Sequence, residues 1–238
     1  LKEVSGLSLL DPQTEELACV QDEAGIIYIY DWAKEEIVKK VDFQVFDDFE
    51  GVEIINDNGY LITSTGDLYE IPKMAATPIK RNINVGKPAN IEGLGYDSTK
   101  NQLLILPKAE LVKGKMLVFG YNLDNYELQR KTVFKLSNND IKNYCNAHQI
   151  KYKIPKKSFP FAPSGIAIDP FTKNIYIIAS VGKTICVLSP EGKLLFLSKL
   201  DKKIYPKPEG ITFMPNGDLV IASDGKERGR LVRIKRTD

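Results

Sequence analysis

Short apolar stretches separated by turn signals run the whole length of the chain, and they fall into sets of three or four. The first set reads Val4 to Leu10, Leu17 to Val20, Ile26 to Tyr30 and Glu36 to Phe43, with Asp11-Pro12-Gln13-Thr14 as its first turn. Apolar residues alternating with small or polar ones, bounded by turn residues, predict β-strands. The second set is Val52 to Ile55, Tyr60 to Thr63, Leu68 to Ile71 and Ile79 to Val85, opened by the hairpin signal Asn56-Asp57-Asn58-Gly59. A third runs Leu94 to Tyr96, Leu103 to Leu106, Met116 to Tyr121 and Lys131 to Leu136. The fourth is Ile166 to Ile168, Ile175 to Ala179, Thr184 to Leu188 and Leu194 to Leu200, and the fifth is Ile211 to Met214, Leu219 to Ala222 and Arg230 to Lys235.

Each set is introduced by the same short signature. It reads Ser5-Gly6-Leu7, Glu50-Gly51-Val52, Glu92-Gly93-Leu94, Ser164-Gly165-Ile166 and Glu209-Gly210-Ile211, with glycines 45, 42, 72 and 45 residues apart. A repeat of about 40–50 residues built from short strands is the mark of a β-propeller, one repeat per blade. The fold class is therefore all-β, a single β-propeller domain over 1–238 with five four-stranded blades favoured. The long interval holds no signature. Ser137-Asn138-Asn139-Asp140 reads as a helix N-cap cluster, Ile141 to His148 as a short helix and Lys151 to Phe161 as a loop, so 137–161 is an insertion; a sixth, degenerate blade is the alternative. The fifth set has three strands, and the expectation is that residues upstream of Leu1 supply the fourth or that this blade is short.

Composition narrows the function classes. Of 238 residues, 43% are hydrophobic and 27% charged, and 33 basic against 31 acidic residues give a net charge of +2. So balanced a chain points away from nucleic acid as the main partner. No apolar run reaches the length of a transmembrane helix. The chain opens at Leu1 without an initiator Met, which suggests a signal or anchor segment upstream. Cys19, Cys145 and Cys186 show neither disulfide nor zinc spacing. The expected state is a monomer.

In a propeller the innermost strands run along a central channel, so the signature positions Ser5, Glu50, Glu92, Ser164 and Glu209 should form a ring. Three carboxylates in one ring repel each other unless a cation sits among them, and calcium (Ca2+), which accepts six to eight oxygens, suits that role. Positions just past each second strand should form a neighbouring ring of Asp22, Thr65, Lys108, Ser180 and Asp224. This makes Glu50, Glu92, Glu209 and Asp224 the candidate metal ligands, and Ser5, Asp22, Lys108 and Ser164 the candidate ligand-binding residues. Two plainer readings stand beside this one. Lys108 alone could neutralise a glutamate, and Glu-Gly could be blade architecture. His148, the single histidine, lies far in sequence from any signature, so no Ser-His-Asp arrangement can be built. Any catalysis would be metal-assisted.

The combination of Val4-Ser5-Gly6-Leu7, Phe49-Glu50-Gly51-Val52-Glu53, Ile91-Glu92-Gly93-Leu94, Pro163-Ser164-Gly165-Ile166-Ala167 and Pro208-Glu209-Gly210-Ile211-Thr212, with Ser223-Asp224-Gly225, resembles the SdiA-regulated, YjiK-like family of bacterial envelope proteins. That resemblance implies a propeller, an extracytoplasmic setting in the periplasm or cell envelope, anchorage through an upstream segment, and no established reaction. More distantly the pattern is similar to the calcium-dependent gluconolactonase and senescence-marker propellers, in which a Glu on an inner strand and an Asp after a second strand hold the metal. Glu50 or Glu209 with Asp224 would take those parts, and the asparagine ligands of that family have no counterpart here. The leading expectation is an envelope propeller that binds an unidentified small molecule or protein, with calcium, at an acidic channel mouth. The alternatives are a metal-dependent lactonase or esterase and a protein-interaction scaffold.

Overall fold

Each glycine signature begins the innermost strand of an antiparallel sheet. The structure, a computed structural model, describes residues 3–75, 77–86, 90–225 and 229–237. Blade one is β1 (Val4–Leu9), β2 (Glu16–Gln21), β3 (Ile26–Asp31) and β4 (Glu36–Asp42). Blade two is β5 (Phe49–Ile55), β6 (Asn58–Thr63), β7 (Asp67–Ile71) and β8 (Ile79–Asn82). Blade three has β9 (Ile91–Asp97), β10 (Gln102–Pro107) and β11 (Lys115–Asn122), and its outer position is shared by β12 (Glu127–Leu128) and β13 (Phe134–Ser137). The insertion carries one helix, α1 (Asn138–Ala147). Blade four is β14 (Ala162–Ile168), β15 (Ile175–Val181), β16 (Thr184–Leu188) and β17 (Leu194–Lys199). Blade five is β18 (Lys207–Phe213), β19 (Leu219–Asp224) and β20 (Arg230–Ile234). The protein is a five-bladed β-propeller; the insertion contributes no sixth blade among the described residues.

The alternating pattern buries both faces of the inner strands of every blade, because each sheet has a neighbour on either side, while outer strands such as β4 and β8 stay largely exposed. Five apolar clusters result, one per junction. Val20, Ile27 and Phe43 of blade one meet Phe49, Leu61 and Ile71 of blade two. Ile62 and Ile83 meet Leu103 and Ile105 across the next junction, and Leu104 and Phe134 meet Ile177 and Leu188 across the third. Ile178 packs on Phe213 and Ile221, and Met214, Val220 and Ala222 of blade five return to Leu7, Leu17 and Tyr28 of blade one. Arg233 of blade five ties the closing junction, binding Asp218 at 2.7 Å within its own blade and Glu15 of blade one at 2.9 Å.

Four features differ from, or complete, the sequence expectation. The inner strands of blades two to five begin three or four residues earlier than their apolar runs, at Phe49, Ile91, Ala162 and Lys207, because a bulge hides the alternation. The outer strand of blade three is not one run over Lys131 to Leu136. It is broken between Leu128 and Phe134, and β12 and β13 pair with opposite ends of β11. Helix α1 starts at Asn138 rather than Ile141, since Ser137 and Asp140 form a reciprocal capping box. His148 is its C-cap rather than part of it. Blade five has three strands among the described residues, in keeping with its three apolar runs.

The signature glycines lie where adjacent inner strands converge on the axis. A Cβ on Gly51 would lie 2.7 Å from the Leu94 Cβ, and one on Gly165 would lie 2.6 Å from the Glu209 carbonyl oxygen, each in the next blade. Gly6 faces blade two and Gly210 faces Leu7 of blade one in the same way. Replacing Gly165 with alanine must therefore push blade five from the axis. Gly165→Ala is expected to cost about 1–3 kcal/mol or more of folding stability, read as a lower urea midpoint with an unchanged slope.

Candidate functional site

The residue before each glycine is the extra residue of a β-bulge. In β1, Val4 pairs with Gln21 and Gly6 with Val20, which leaves Ser5 unpaired. The same one-residue shift leaves out Glu50, Glu92, Ser164 and Glu209. A bulge breaks the two-residue alternation and re-aims a side chain. Here all five are turned into one axial cleft, lined by the five signatures together. The ring expected from the repeat is therefore formed. The cleft at this level holds only about 10 Å3, room for a single water. A ligand would sit at the mouth, above the ring, rather than in the channel.

The two serines and the three glutamates behave differently. Ser5 Oγ donates to the Phe49 carbonyl at 2.6 Å, and Ser164 Oγ to the Pro208 carbonyl at 2.6 Å. Both are buried, at 3% and 1% exposure. Each serine thus clasps the next blade at the residue that precedes its signature glutamate. Their hydroxyl protons are engaged within the fold, and their nearest role is to hold blade to blade.

The glutamates face a mixed set of charges. Lys108 Nζ lies 2.7 Å from Glu92 Oε1, which places this lysine in the channel as the sequence suggests. Lys207 Nζ lies 3.1 Å from Glu209 Oε1 and 3.9 Å from Asp224 Oδ2. Burial works against charging Lys207, but Glu209, Asp224 and Asp22 outweigh it and raise its pKa. Glu50 has no ion-pair partner among the described residues. Its burial first, then the Glu92, Asp48 and Glu209 carboxylates, push it up to about 8, with Lys108 opposing. Burial pushes Glu209 up to about 7 against the pull of Lys207.

The second ring is partly engaged. Asp224 Oδ1 accepts from the Glu3 amide at 3.1 Å, and the Thr65 hydroxyl meets that of Thr63 at 3.0 Å. The Ser180 carbonyl accepts from Lys183 Nζ at 2.6 Å. Asp22 Oδ1 is buried with no hydrogen-bond partner among the described residues, an unmet need for a donor or a cation. The described residues bring no three His, Cys, Asp or Glu side chains together in a geometry ready to hold a metal.

Two functional-looking groups escape a reading of the sequence. Lys207 stands two residues before Glu209, on the same side of the strand by the two-residue alternation, and its Nζ reaches the Glu209 carboxylate. Glu53 follows Glu50 by three residues and lies in the junction with blades one and three. It accepts from Ser8 Oγ at 2.9 Å and from the Tyr96 amide, and burial pushes it up to about 8. The thiols of Cys19 and Cys186 are buried and pushed up to about 12, so neither is a thiolate nucleophile. His148 is stacked on Tyr144 at 4.1 Å on the insertion, apart from the axial residues.

The Lys108–Glu92 pair should be a structural keystone. Lys108→Met would leave Glu92 buried without its cation, at a cost of about 3 kcal/mol in urea denaturation. Glu92→Gln in the same chain should restore most of the loss, because the uncompensated charge is then gone.

No family model and no curated protein matches the chain. Solved structures do match it over nearly its full length. A chain of a nidogen/laminin complex is 10% identical with a TM-score of 0.60, covering 98% of this chain and 76% of that one. Hydrazine synthase of Kuenenia stuttgartiensis is 11% identical with a TM-score of 0.56, covering 96% and 82%. Streptogramin B lyase is 11% identical with a TM-score of 0.54, covering 99% and 70%. These likenesses are of fold, among propellers of varied function, and they place the chain in the β-propeller architecture.

Proposed function

We propose that the chain is a ligand-binding propeller of the bacterial envelope, of the SdiA-regulated kind, whose channel mouth takes a cation, calcium foremost, on its carboxylate ring. One observation carries this reading: the mouth is short of positive charge. Lys108 and Lys207 match Glu92 and Glu209, whereas Glu50 has no cation of its own among the described residues and stays protonated up to about pH 8. The orphaned Asp22 Oδ1 adds a second acceptor in want of a partner. Carboxylate oxygens are the donors a hard cation prefers. Glu50, Glu92 and Glu209 would hold the ion, with Asp22 and Asp224 beside them, after turning from their present positions, in which no three of these side chains converge. Because Lys108 and Lys207 already bind two of these glutamates, an incoming cation competes with both ammonium groups. Extracytoplasmic placement belongs to the same reading. No helix among the described residues is long and apolar enough to cross a membrane.

The proposal has a signed pH dependence. The folded pKa of Glu50 lies above the ordinary 4.5. Its contribution to stability is therefore full below that ordinary value and is lost as pH rises through about 8. Cation binding must remove this proton, so affinity rises over the same interval. Calcium titration by calorimetry and thermal melting should show binding tighter by about tenfold or more at about pH 9 than at about pH 6. Melting temperature should rise on saturation. Glu50→Gln should weaken the binding and flatten its pH dependence. Absence of saturable heat at millimolar calcium, with unchanged melting at both pH values, would overturn the proposal.

A further inference from the structure

A second charged region lies on the rim, where blades three and four meet the insertion. The break in the outer strand of blade three creates it. Gln129 and Val133 keep their backbone bonds to the Gly120 and Val118 carbonyls, at 2.8 and 2.9 Å. Between them the amides of Arg130, Lys131 and Thr132 donate to nothing among the described residues. That stretch forms one wall of a cavity of about 1040 Å3, with the turn at Glu191–Lys193 opposite and α1 closing a side. Phe134, Leu194 and the stacked Tyr144–His148 pair give the cavity an apolar floor.

Cations outnumber acids in this cavity. Arg130, Lys131, Lys135 and Lys193 line it, and none makes an ion pair among the described residues. Two acids, Asp140 and Glu191, also line it, each hydrogen-bonded within its own element rather than to these cations. Asp140 Oδ2 is held in the helix cap by the Ser137 amide and hydroxyl, at 2.8 and 2.6 Å, and Glu191 Oε2 accepts from Ser189 Oγ at 2.7 Å.

We infer that this groove is a binding site for an acidic peptide segment carrying an apolar or aromatic residue. The unpaired N–H groups of the bend between β12 and β13 are isolated donors for such a segment's carbonyl or carboxylate oxygens. The cations on both walls select carboxylates, and the floor receives the apolar side chain. A lone phosphate would fill only a small part of the volume. This inference is independent of the channel mouth.

The test is fluorescence polarisation with a labelled hexapeptide of alternating Glu and Phe, its Lys-for-Glu counterpart, and inorganic phosphate as competitor at constant ionic strength. The acidic peptide should bind saturably, and binding should weaken as salt is raised. The exposed double variant Lys131→Glu with Lys193→Glu should lose about tenfold or more in affinity with its melting temperature unchanged. Lys34→Glu, on blade one, should keep full affinity. Three outcomes would each overturn the inference: no saturable binding of the acidic peptide, equal binding of the basic one, or an unchanged affinity in the double variant. Complete displacement by inorganic phosphate would also overturn it, by marking a small-anion site instead.

Discussion

The whole molecule rests on how closely five inner strands approach one axis. At Gly6, Gly51, Gly165 and Gly210 no side chain fits between one inner strand and the next. A Cβ on Gly165 would fall 2.6 Å from the Glu209 oxygen, and one on Gly51 would fall 2.7 Å from Leu94. Glycine is therefore a steric requirement of the ring, distinct from its use in turns. The bulge before each glycine follows from the same crowding. It adds a residue where the strand bends toward the axis, and that residue then has nowhere to point except the channel. The chemistry of the channel mouth is in this sense a by-product of packing. A serine there is short enough to reach the neighbouring carbonyl and becomes a clasp, as Ser5 and Ser164 do. A glutamate carries its charge beyond that carbonyl and becomes part of the mouth.

Placing three carboxylates by packing sets an electrostatic problem that packing does not solve. Two lysines answer part of it, by different routes. Lys108 enters from the end of a second strand, and Lys207 from the inner strand itself. The remaining imbalance falls on Glu50, with Asp48 and the other two glutamates raising its pKa further. Near neutral pH this group is an acid holding a proton in a crowded anionic ring. Under the proposed cation binding this is the proton that would be displaced, so Glu50 and not the better-paired Glu92 would be the sensitive position.

The glycine period makes the blades legible in the chain, because one steric requirement recurs in each repeat. Bulges are not legible in the same way. They shift the alternation by one residue, so Phe49, Ile91, Ala162 and Lys207 fall outside the apparent strands, and nothing in the pattern marks Lys207 as a channel residue. Ring membership of Glu50, Glu92 and Glu209 can be read, as can the entry of Lys108. The engagement of Ser5 and Ser164 with carbonyls of the next blade cannot, since it depends on inter-blade geometry that no local pattern encodes. Glu53 is hidden similarly: three residues past Glu50 it looks like a polar position of a half-exposed strand, and only the junction supplies Ser8 and the Tyr96 amide. In blade three the apolar residues Val133, Phe134 and Leu136 mark the β13 half of the outer strand, whereas the two-residue β12 is too short to leave a pattern.

The near-neutral total of +2 conceals an uneven distribution of charge. Carboxylates gather near the axis because the inner-strand signature puts them there. Arg130, Lys131, Lys135 and Lys193 gather at the rim because the interrupted strand and the insertion face a polar turn. Field lines of opposite sign therefore leave two different parts of the molecule, and averaging over the sequence cancels them. A balanced composition excludes a uniformly basic or acidic surface. It does not exclude two local fields, each set by a departure from regular strand geometry: the bulge at the centre and the gap at the edge. In both places the irregular backbone frees groups that an ideal blade would bury or pair, and those freed groups are the ones the proposed ligands would meet.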